Sequence, residues 1–263
     1  MSGEIKTQRL AGHIGAEIAG VDVSGDVSDD AVATLRSAVL EHHVIFLRDQ
    51  FLGPERLRAM GKRFGDLLVN PLAPSVAGLP EVVELVNRDG GAPDVWHFDS
   101  SFLEAPPALS LLSMVTTPSV GGDTLWMSGY AALAALAPSM REFLRDLTVV
   151  YDSAATPQRI TGYVAEHPLV AAHPETGRPA LFFDPSYSTQ VLELERAESD
   201  ALLAFLRVHV TDPTFSCRFR WSAGTLAIWD NRCTLHRVIN DFSGERAILR
   251  VTVNGDPPVR WIG

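Results

Sequence analysis

Three side chains in this sequence have the types and the spacing of a metal-binding face. His97 and Asp99 stand two residues apart in 94–102, a stretch whose pattern predicts an extended strand. Side chains two apart on a strand point to the same face, so an imidazole and a carboxylate would lie side by side. His236 is the candidate third ligand, because it follows an apolar strand at 225–229 and a polar turn. Two histidines and one carboxylate form the ligand set of non-haem Fe(II) oxygenases.

A His-x-Asp triplet alone is weak evidence for a metal site. The chain has 8 histidines and 32 acidic residues, so chance triplets are expected. The alternative interpretation is a surface strand that carries two solvated polar groups, with His236 as a structural histidine. Trp96, Phe98 and Phe102 argue against it, because a carboxylate among aromatic rings is costly unless it is paired or binds a metal.

The bulk composition limits the classes of function. A chain of 263 residues, of which 46% are hydrophobic, fits one large domain over 1–263. The formal net charge of -10 opposes a broad phosphate-binding surface, so we expect no nucleic-acid partner. We expect no membrane association, because no apolar run approaches the length of a membrane span. Cys217 and Cys233 give no disulfide framework and the N-terminus lacks a signal-peptide pattern, which predicts a cytoplasmic location.

The pattern along the chain predicts a mainly β fold with flanking helices, an α+β class. Helices are predicted after an N-cap at Ser28, from Pro54, and over 195–210, and they would cover the outer face of the strands. Short strands are predicted at 44–47, 82–86, 95–102, 109–116, 124–127, 147–151, 170–173, 180–183, 215–221, 225–229, 234–239 and 247–253. Many short strands with turn residues between them indicate a jelly roll or barrel.

Seven separated stretches resemble the TauD/TfdA family, the taurine and chlorophenoxyacetate dioxygenases that depend on Fe(II) and 2-oxoglutarate. In family order they are VIFLRDQ at 44–50, RFG at 63–65, WHFD at 96–99, GGDT at 121–124, HPETGR at 173–178, WDNR at 229–232 and RAILR at 246–250. The resemblance implies a double-stranded β-helix, a cupin-like jelly roll, with His97, Asp99 and His236 on the iron. It also implies that O2 and 2-oxoglutarate are consumed, that succinate and CO2 are released, and that a substrate C–H bond is hydroxylated.

The resemblance further implies a cosubstrate site. In the family, a Thr after a Gly-Gly-x sequence and an Arg on a late strand bind the distal carboxylate of 2-oxoglutarate; Thr124 and Arg246 match them. An arginine is a two-pronged, permanently charged partner for a carboxylate. Without the resemblance, Thr124 would be an ordinary β-branched strand residue. Arg250 shares a strand face with Arg246 but lies about 13 Å further along. It would hold the inner end of 2-oxoglutarate or an acidic group of the substrate, or balance charge in an acidic protein.

The motifs that distinguish the family's substrate branches point in more than one direction. Taurine-specific relatives carry a His and a Tyr after the Phe-Gly motif and an Asn before the His-x-Asp triplet. Asn70, Ala73 and Pro93 occupy these positions here, which argues against taurine. The stretch at 99–108 looks closer to the aryloxyalkanoate-cleaving branch, whereas 152–167 is shorter than the corresponding loop of those relatives.

We therefore predict that the substrate is a small organic anion, a carboxylate or sulfonate, with an apolar body. Arg250, Asn70 and Ser100 are the candidate substrate-binding residues. Hydroxylation beside an ether or sulfonate carbon would cleave the ether or C–S bond, because the product would collapse.

Two other functions stay open on the residues alone. The same face with zinc and a bound hydroxide would make a metal hydrolase, although Thr124 and Arg246 would then have no evident role. A jelly-roll shell without catalysis would make a small-molecule binder. Members of the family often form dimers or tetramers, so the resemblance is compatible with a homodimer or a homotetramer.

Overall fold

The computed structural model describes residues 5–70, 73–92, 94–156 and 162–263. Its helices are α1 (Asp29–His42), α2 (Pro54–Lys62), α3 (Gly129–Ala135), α4 (Pro138–Arg145) and α5 (Arg196–His209). Its strands are β1 (Lys6–Arg9), β2 (Ala16–Ala19), β3 (Val44–Leu47), β4 (Ser75–Val76), β5 (Leu79–Arg88), β6 (Leu109–Thr116), β7 (Thr124–Ser128), β8 (Thr148–Asp152), β9 (Val164–Pro168), β10 (Val170–Ala172), β11 (Pro179–Leu181), β12 (Ser188–Val191), β13 (Ser216–Phe219), β14 (Leu226–Asp230), β15 (Thr234–Val238), β16 (Glu245–Val253) and β17 (Val259–Arg260).

Two sheets form the double-stranded β-helix that the sequence predicts. The large sheet has the order β1-β2-β3-β14-β6-β16-β5-β4, and a small sheet has the order β13-β7-β15. Strands β2 and β3 run parallel, and the other pairings in these two sheets are antiparallel. The core between the sheets contains aromatic side chains of both; the rings of Phe46 on β3 and Phe219 on β13 stack with centroids 3.7 Å apart. Each buried ring contributes about 1.5–3 kcal/mol through burial alone.

Helices α1 and α2 cover the other face of the large sheet. Ser28 caps α1 as expected, because its hydroxyl accepts a hydrogen bond from the backbone N–H of Ala31. The apolar stripe of α1, which includes Leu35 and Val39, packs with Ile45 and Leu47 of β3 in one buried cluster. Strand β3 is therefore buried on both faces, which explains its unbroken apolar sequence.

Three expectations about the elements need correction. The residues 94–102 are not a strand; they form a turn region with one isolated bridge between His97 and His236. Helix α5 does not join α1 and α2 on the large sheet but packs against β12, in a third cluster of apolar side chains. Helices α3 and α4 were not predicted. Within the described ranges, no helix is long and apolar enough to cross a membrane.

Candidate metal centre

His97 and Asp99 lie in a turn that begins at an isolated backbone bridge and ends at a left-handed residue. The isolated bridge joins His97 to His236 through two backbone hydrogen bonds of 3.1 and 2.9 Å. Beyond it, Ser100 adopts a left-handed backbone conformation with φ of 51°, which ends any strand geometry. The predicted proximity of His97 and Asp99 still arises, although the bridge and the turn produce it instead of a continuous strand.

The side chains of His97, Asp99 and His236 converge on one point. Their candidate ligand atoms all lie within 4.8 Å of one another. The Oδ1 atom of Asp99 is 4.0 Å from Nε2 of His97 and 3.8 Å from Nε2 of His236. These distances are too long for hydrogen bonds. Two atoms that each lie about 2.1 Å from one ion are at most about 4.2 Å apart, so the spacing fits a shared metal ion.

The two imidazoles are prepared for metal binding in different ways. His97 directs Nδ1 to the backbone carbonyl of Val95 at 2.8 Å, which leaves its Nε2 facing Asp99. This second contact is the usual way in which a protein fixes the ring of a metal-binding histidine. Burial and the neighbouring His97 lower the pKa of His236 to about 3, although Asp99 opposes the shift. His236 therefore carries a free lone pair at neutral pH.

Asp99 is held by contacts to both of its carboxylate oxygens. Ser110 on β6 donates its hydroxyl to Oδ2 at 2.7 Å, and Arg250 on β16 donates Nη1 to Oδ1 at 2.7 Å. Burial would raise the pKa of Asp99, but the positive charge of Arg250, together with the hydrogen bond from Ser110, outweighs it and holds this pKa below its ordinary value. The carboxylate is thus ionised and oriented toward the two imidazoles. Ser110 was not predicted.

The predicted cosubstrate residues also meet. Nη2 of Arg246 lies 3.4 Å from the hydroxyl of Thr124, which accepts a second hydrogen bond from the indole of Trp221 at 3.0 Å. Arg246 is only 2% exposed. Burial lowers its pKa to about 10. Among the described residues, no carboxylate lies within ion-pair distance of Arg246, so this buried cation has no described anionic partner.

The Gly-Gly turn before Thr124 shapes this pocket. Gly121 and Gly122 both have positive φ angles, of 77° and 70°. A side chain at Gly121 would place its Cβ 2.4 Å from the backbone oxygen of Asp241, so this position requires glycine. The carbonyl of Gly122 then accepts a hydrogen bond of 3.2 Å from Nε of Arg246. The family-like GGDT motif therefore serves to position the arginine as well as Thr124.

The three predicted substrate-binding residues have different surroundings. Arg246 and Arg250 lie on one face of β16, as predicted, with Ile248 between them in the core between the sheets. Arg250 contacts Asp99 directly, and Ser100 is half-buried in the adjoining turn. Asn70 is half-buried in the segment that follows α2, and Ala73 is also half-buried. Pro93 and the residues 157–161 of the predicted short loop lie outside the described residues.

Sequence reasoning missed two residues that hold the His97–Asp99 turn. Asp184, which lies between β11 and β12, is fully buried and accepts a hydrogen bond of 2.9 Å from the backbone N–H of Phe98. Asn231, directly after β14, accepts one of 2.8 Å from the backbone N–H of Asp99. Asn231 belongs to the WDNR motif, so its place in that motif was an available signal. Nothing in the sequence near Asp184 links it to the site.

A second group of potential ligands lies close by. His173, Asp230 and Cys233 also place their ligand atoms within 4.8 Å of one another. Both oxygens of Asp230 already accept hydrogen bonds, since Arg232 binds both and His173 binds Oδ2 at 2.9 Å. Burial would raise the pKa of Asp230, but Arg232 and His173 hold it below the ordinary value. The ligand atoms of this group already bond to each other, since Nε2 of His173 lies 2.9 Å from Oδ2 of Asp230, whereas Asp99 lies 3.8 Å or more from both imidazoles. This group is therefore a satisfied ion-pair network.

Comparisons with known proteins give a consistent result. The family model described as "Taurine catabolism dioxygenase TauD, TfdA family" matches residues 6–252. An alpha-ketoglutarate-dependent sulfate ester dioxygenase of Pseudomonas putida, named for the older term for 2-oxoglutarate, is 35% identical over 97% of this chain and 91% of its own length. An alkylsulfatase of Acinetobacter baylyi is 31% identical over 96% of this chain and 86% of its own length.

The structural comparison agrees with these matches. The crystal structure of a putative alpha-ketoglutarate-dependent taurine dioxygenase from Burkholderia xenovorans superimposes with a TM-score of 0.89 at 39% identity. The match covers 98% of this chain and 92% of that one. Likeness over nearly the full length includes both sheets and the turn that carries His97 and Asp99.

Proposed function

Because this chain belongs to the TauD/TfdA family of 2-oxoglutarate-dependent non-haem iron dioxygenases, we propose that His97, Asp99 and His236 bind its ferrous ion. The observation that carries the assignment is the convergence of two imidazoles and one carboxylate, whose candidate ligand atoms lie within 4.8 Å of one another. This donor set suits Fe(II) and leaves coordination positions open. Family membership also favours the oxygenase over a zinc hydrolase or a non-catalytic binder.

Thr124 and Arg246 are proposed to bind the distal carboxylate of 2-oxoglutarate. The support is physical: Arg246 is a buried cation with a bonded threonine at its side and no described carboxylate partner. A guanidinium can bind a carboxylate through two parallel hydrogen bonds, and burial strengthens that contact. When bound, iron and 2-oxoglutarate supply the oxidising chemistry; the chain's residues orient both and keep Asp99 ionised.

For the substrate we propose a sulfate ester of an alkyl alcohol. Two full-length relatives are named for activity on sulfate esters or alkyl sulfates, and both cover more than nine-tenths of this chain. Arg250 would attract the sulfate group, because its guanidinium reaches the edge of the metal site at Asp99. Ser100, in the same turn, is proposed as a second contact, and Asn70 as a third.

The proposed reaction balances, because the oxidation of 2-oxoglutarate supplies two of the electrons that reduce O2. The alkyl sulfate, 2-oxoglutarate and O2 give succinate, CO2 and a sulfate ester hydroxylated at the carbon beside its ester oxygen. That carbon then releases the ester oxygen with its sulfate, and the hydroxyl oxygen forms the carbonyl of an aldehyde. One proton is released with the sulfate. The protein's contribution is to place the C–H bond beside the iron and to exclude competing reactions.

A panel of anions tests this proposal directly. Hexyl sulfate, hexanesulfonate, 2,4-dichlorophenoxyacetate and taurine are each added to enzyme with Fe(II), ascorbate and 2-oxoglutarate, and succinate release is measured. Hexyl sulfate should accelerate succinate release most and should release inorganic sulfate in equal amount. The variant His236→Ala should lose both products, while Ser199→Ala should retain them, because Ser199 on α5 bonds to the backbone N–H of Val191 and to none of the proposed ligands.

The outcomes separate the reaction from the substrate. Acceleration by the sulfonate or the aryloxy acid alone would overturn the sulfate ester and leave the dioxygenase reaction intact. Full succinate release by His236→Ala would contradict the metal assignment itself.

The remaining proposals concern the whole chain. We propose that 1–263 forms one dioxygenase domain; the family match over 6–252 supports this. A cytoplasmic location is proposed because Cys217 and Cys233 are both free and buried. A homodimer or homotetramer is proposed for the assembly, and light scattering would distinguish the two. Nucleic acid and membrane are not proposed as partners, given the net charge of -10.

A further inference from the structure

The metal-binding turn lacks the support that a strand would give it. In a sheet, the backbone groups of successive residues bond to neighbouring strands. Here only His97 has such a bridge, and the chain turns away directly after it. The backbone N–H groups of Phe98 and Asp99 are buried with their residues and must be satisfied by other partners.

Two buried side chains from distant parts of the sequence supply those partners. Asp184 accepts from the backbone N–H of Phe98 at 2.9 Å and from the hydroxyl of Ser101 at 2.8 Å. Asn231 accepts from the backbone N–H of Asp99 at 2.8 Å and donates to the Asp99 carbonyl at 3.0 Å. We propose that Asp184 and Asn231 are positioning residues that clamp the His97–Asp99 turn in the geometry that binds the metal.

Further hydrogen bonds hold both clamp residues, Asp184 and Asn231, in place. The second carboxylate oxygen of Asp184 accepts from the backbone N–H groups of Ser186 and Tyr187, at 2.9 and 3.3 Å. The Asn231 amide also donates to the carbonyl of Pro107 at 3.0 Å. Neither side chain is exposed at all. Both side chains are therefore fixed in the metal-free protein, and their hydrogen bonds fix the backbone of the turn.

The neighbouring ion-pair network explains why Asn231 can act as a rigid support. Asp230, the preceding residue, binds His173 at 2.9 Å and Arg232 at 2.6 Å. Arg232 continues to Glu175 at 2.8 Å, and Glu175 binds Arg36 of α1 at 2.8 Å. The network ties the end of β14 to helix α1, so Asn231 cannot shift without breaking several charged contacts.

The inference rests on the proposed iron ligands and is tested by metal binding alone, without turnover. Trp229 has its ring centroid 5.0 Å from that of His236, so Fe(II) at the triad should quench tryptophan fluorescence. Anaerobic Fe(II) titration of the wild-type protein and the variants Asp184→Asn and Asn231→Ala gives the dissociation constants. Loss of such supporting contacts should raise the constant by about 10- to 100-fold in each variant.

A matched variant separates positioning from general loss of stability. Ser199 on α5 is also fully buried, and its hydroxyl accepts from the backbone N–H of Val191 at 2.8 Å. The variant Ser199→Ala removes a comparable contact away from the turn. Its melting temperature should fall like those of the clamp variants, while its Fe(II) dissociation constant should stay at the wild-type value.

The possible results lead to distinct conclusions. Wild-type Fe(II) binding by folded Asp184→Asn and Asn231→Ala would overturn the clamp, as would equal weakening in Ser199→Ala. If neither clamp variant melts cooperatively, Ser101→Ala is used, because it removes only the hydroxyl bond to Asp184. It should weaken binding about threefold, and an unchanged constant would then overturn the clamp. Quenching of wild type that persists in His236→Ala would instead refute the ligand assignment on which the clamp depends.

Discussion

Arg246 is a buried cation that has no anionic partner among the described residues. Its guanidinium is 2% exposed, and its described polar contacts are the carbonyl of Gly122 and the hydroxyl of Thr124. Burial without a carboxylate lowers the pKa of Arg246 to about 10, so it remains charged at neutral pH. A charge in such a place is costly unless a ligand pairs with it. The distal carboxylate of 2-oxoglutarate fits this requirement.

The variant Arg246→Lys should weaken cosubstrate use. Lysine keeps the charge but loses the two-pronged contact and the bond from Nε to Gly122. We expect the KM for 2-oxoglutarate to rise about tenfold or more, with a smaller change in kcat. Succinate release measured at a series of 2-oxoglutarate concentrations gives both constants.

Arg218→Lys is the matched control for Arg246→Lys. Arg218 lies on β13, in the small sheet that also carries Thr124, and binds Asp123, but its side chain is 53% exposed. The KM of this control should equal that of wild type. An unchanged KM in Arg246→Lys would contradict the proposed cosubstrate site.

The sequence was informative about individual residues wherever a motif carried them. The patterns WHFD and RAILR led to His97, Asp99 and Arg250, whose side chains meet at one site, and to Arg246, which shares strand β16 with Arg250. Ser110 and Asp184 could not be inferred, because single polar residues in apolar surroundings are common and their partners are distant in sequence. Contacts of that kind are decided by tertiary packing.

At the scale of elements, the Gly-Gly turn joins the start of β7 to Arg246 and so shapes the proposed cosubstrate site. Gly121→Ala would bring a methyl group 2.4 Å from the Asp241 carbonyl oxygen, in addition to the strain of a φ of 77°. We expect a loss of about 2 kcal/mol or more in the free energy of unfolding. The displaced Gly122 carbonyl would also release Arg246 and raise the KM for 2-oxoglutarate.

Gly78→Ala provides a control with nearly identical backbone strain. Gly78 has a φ of 78°, but a Cβ there would meet nothing within 4 Å. This variant should lose only about 1 kcal/mol and keep the wild-type KM. Urea unfolding and succinate assays compare the two variants, and equal behaviour would refute a role for the close approach at Gly121.

The predicted elements agree with the structure where one pattern of apolar residues dominates a segment. They fail where contacts from distant side chains compete with the local pattern. Strand β6 was predicted with its observed limits, since its mostly apolar sequence lies between Pro107 and Pro118. The residues 94–102 have the alternation of a strand, yet side chains from elsewhere satisfy their backbone and produce a turn. Helices α3 and α4 had signals that were not used, namely the cap at Ser128 and Pro138 at the first helical turn.

At the scale of the whole molecule, buried histidines make stability depend on pH. His43 ends α1 and is 3% exposed. Burial, together with the positive charge of Arg178, lowers its pKa to about 4, while Asp230 opposes the shift; His42 and His173 lower it further. Between pH 4 and 6.5 the unfolded chain therefore binds a proton at His43 that the folded protein excludes. Stability falls as pH falls through this window, by up to about 1.4 kcal/mol per pH unit.

His43→Asn should reduce this pH dependence. Asparagine tolerates the φ of 67° found at this position, and it does not titrate. Urea unfolding of the metal-free protein at pH 7 and pH 5 gives the difference in the free energy of unfolding. That difference should be smaller in the variant than in wild type. Equal differences in the two proteins would contradict the role assigned to His43.

The overall architecture was more predictable than its connections. Composition and strand spacing indicated a jelly roll, and the order of motifs indicated the family. The packing of α5 against β12 was not predictable, because an amphipathic helix has no sequence feature that names its partner sheet.

The central claim is that one ferrous ion is bound where His97, Asp99 and His236 meet. An anaerobic crystal structure with Fe(II) and 2-oxoglutarate tests it most directly. We predict one ion bound by Nε2 of both histidines and by Asp99, with the distal carboxylate of 2-oxoglutarate on Arg246. Iron bound instead at His173, Asp230 and Cys233, with the first triad empty, would contradict the account.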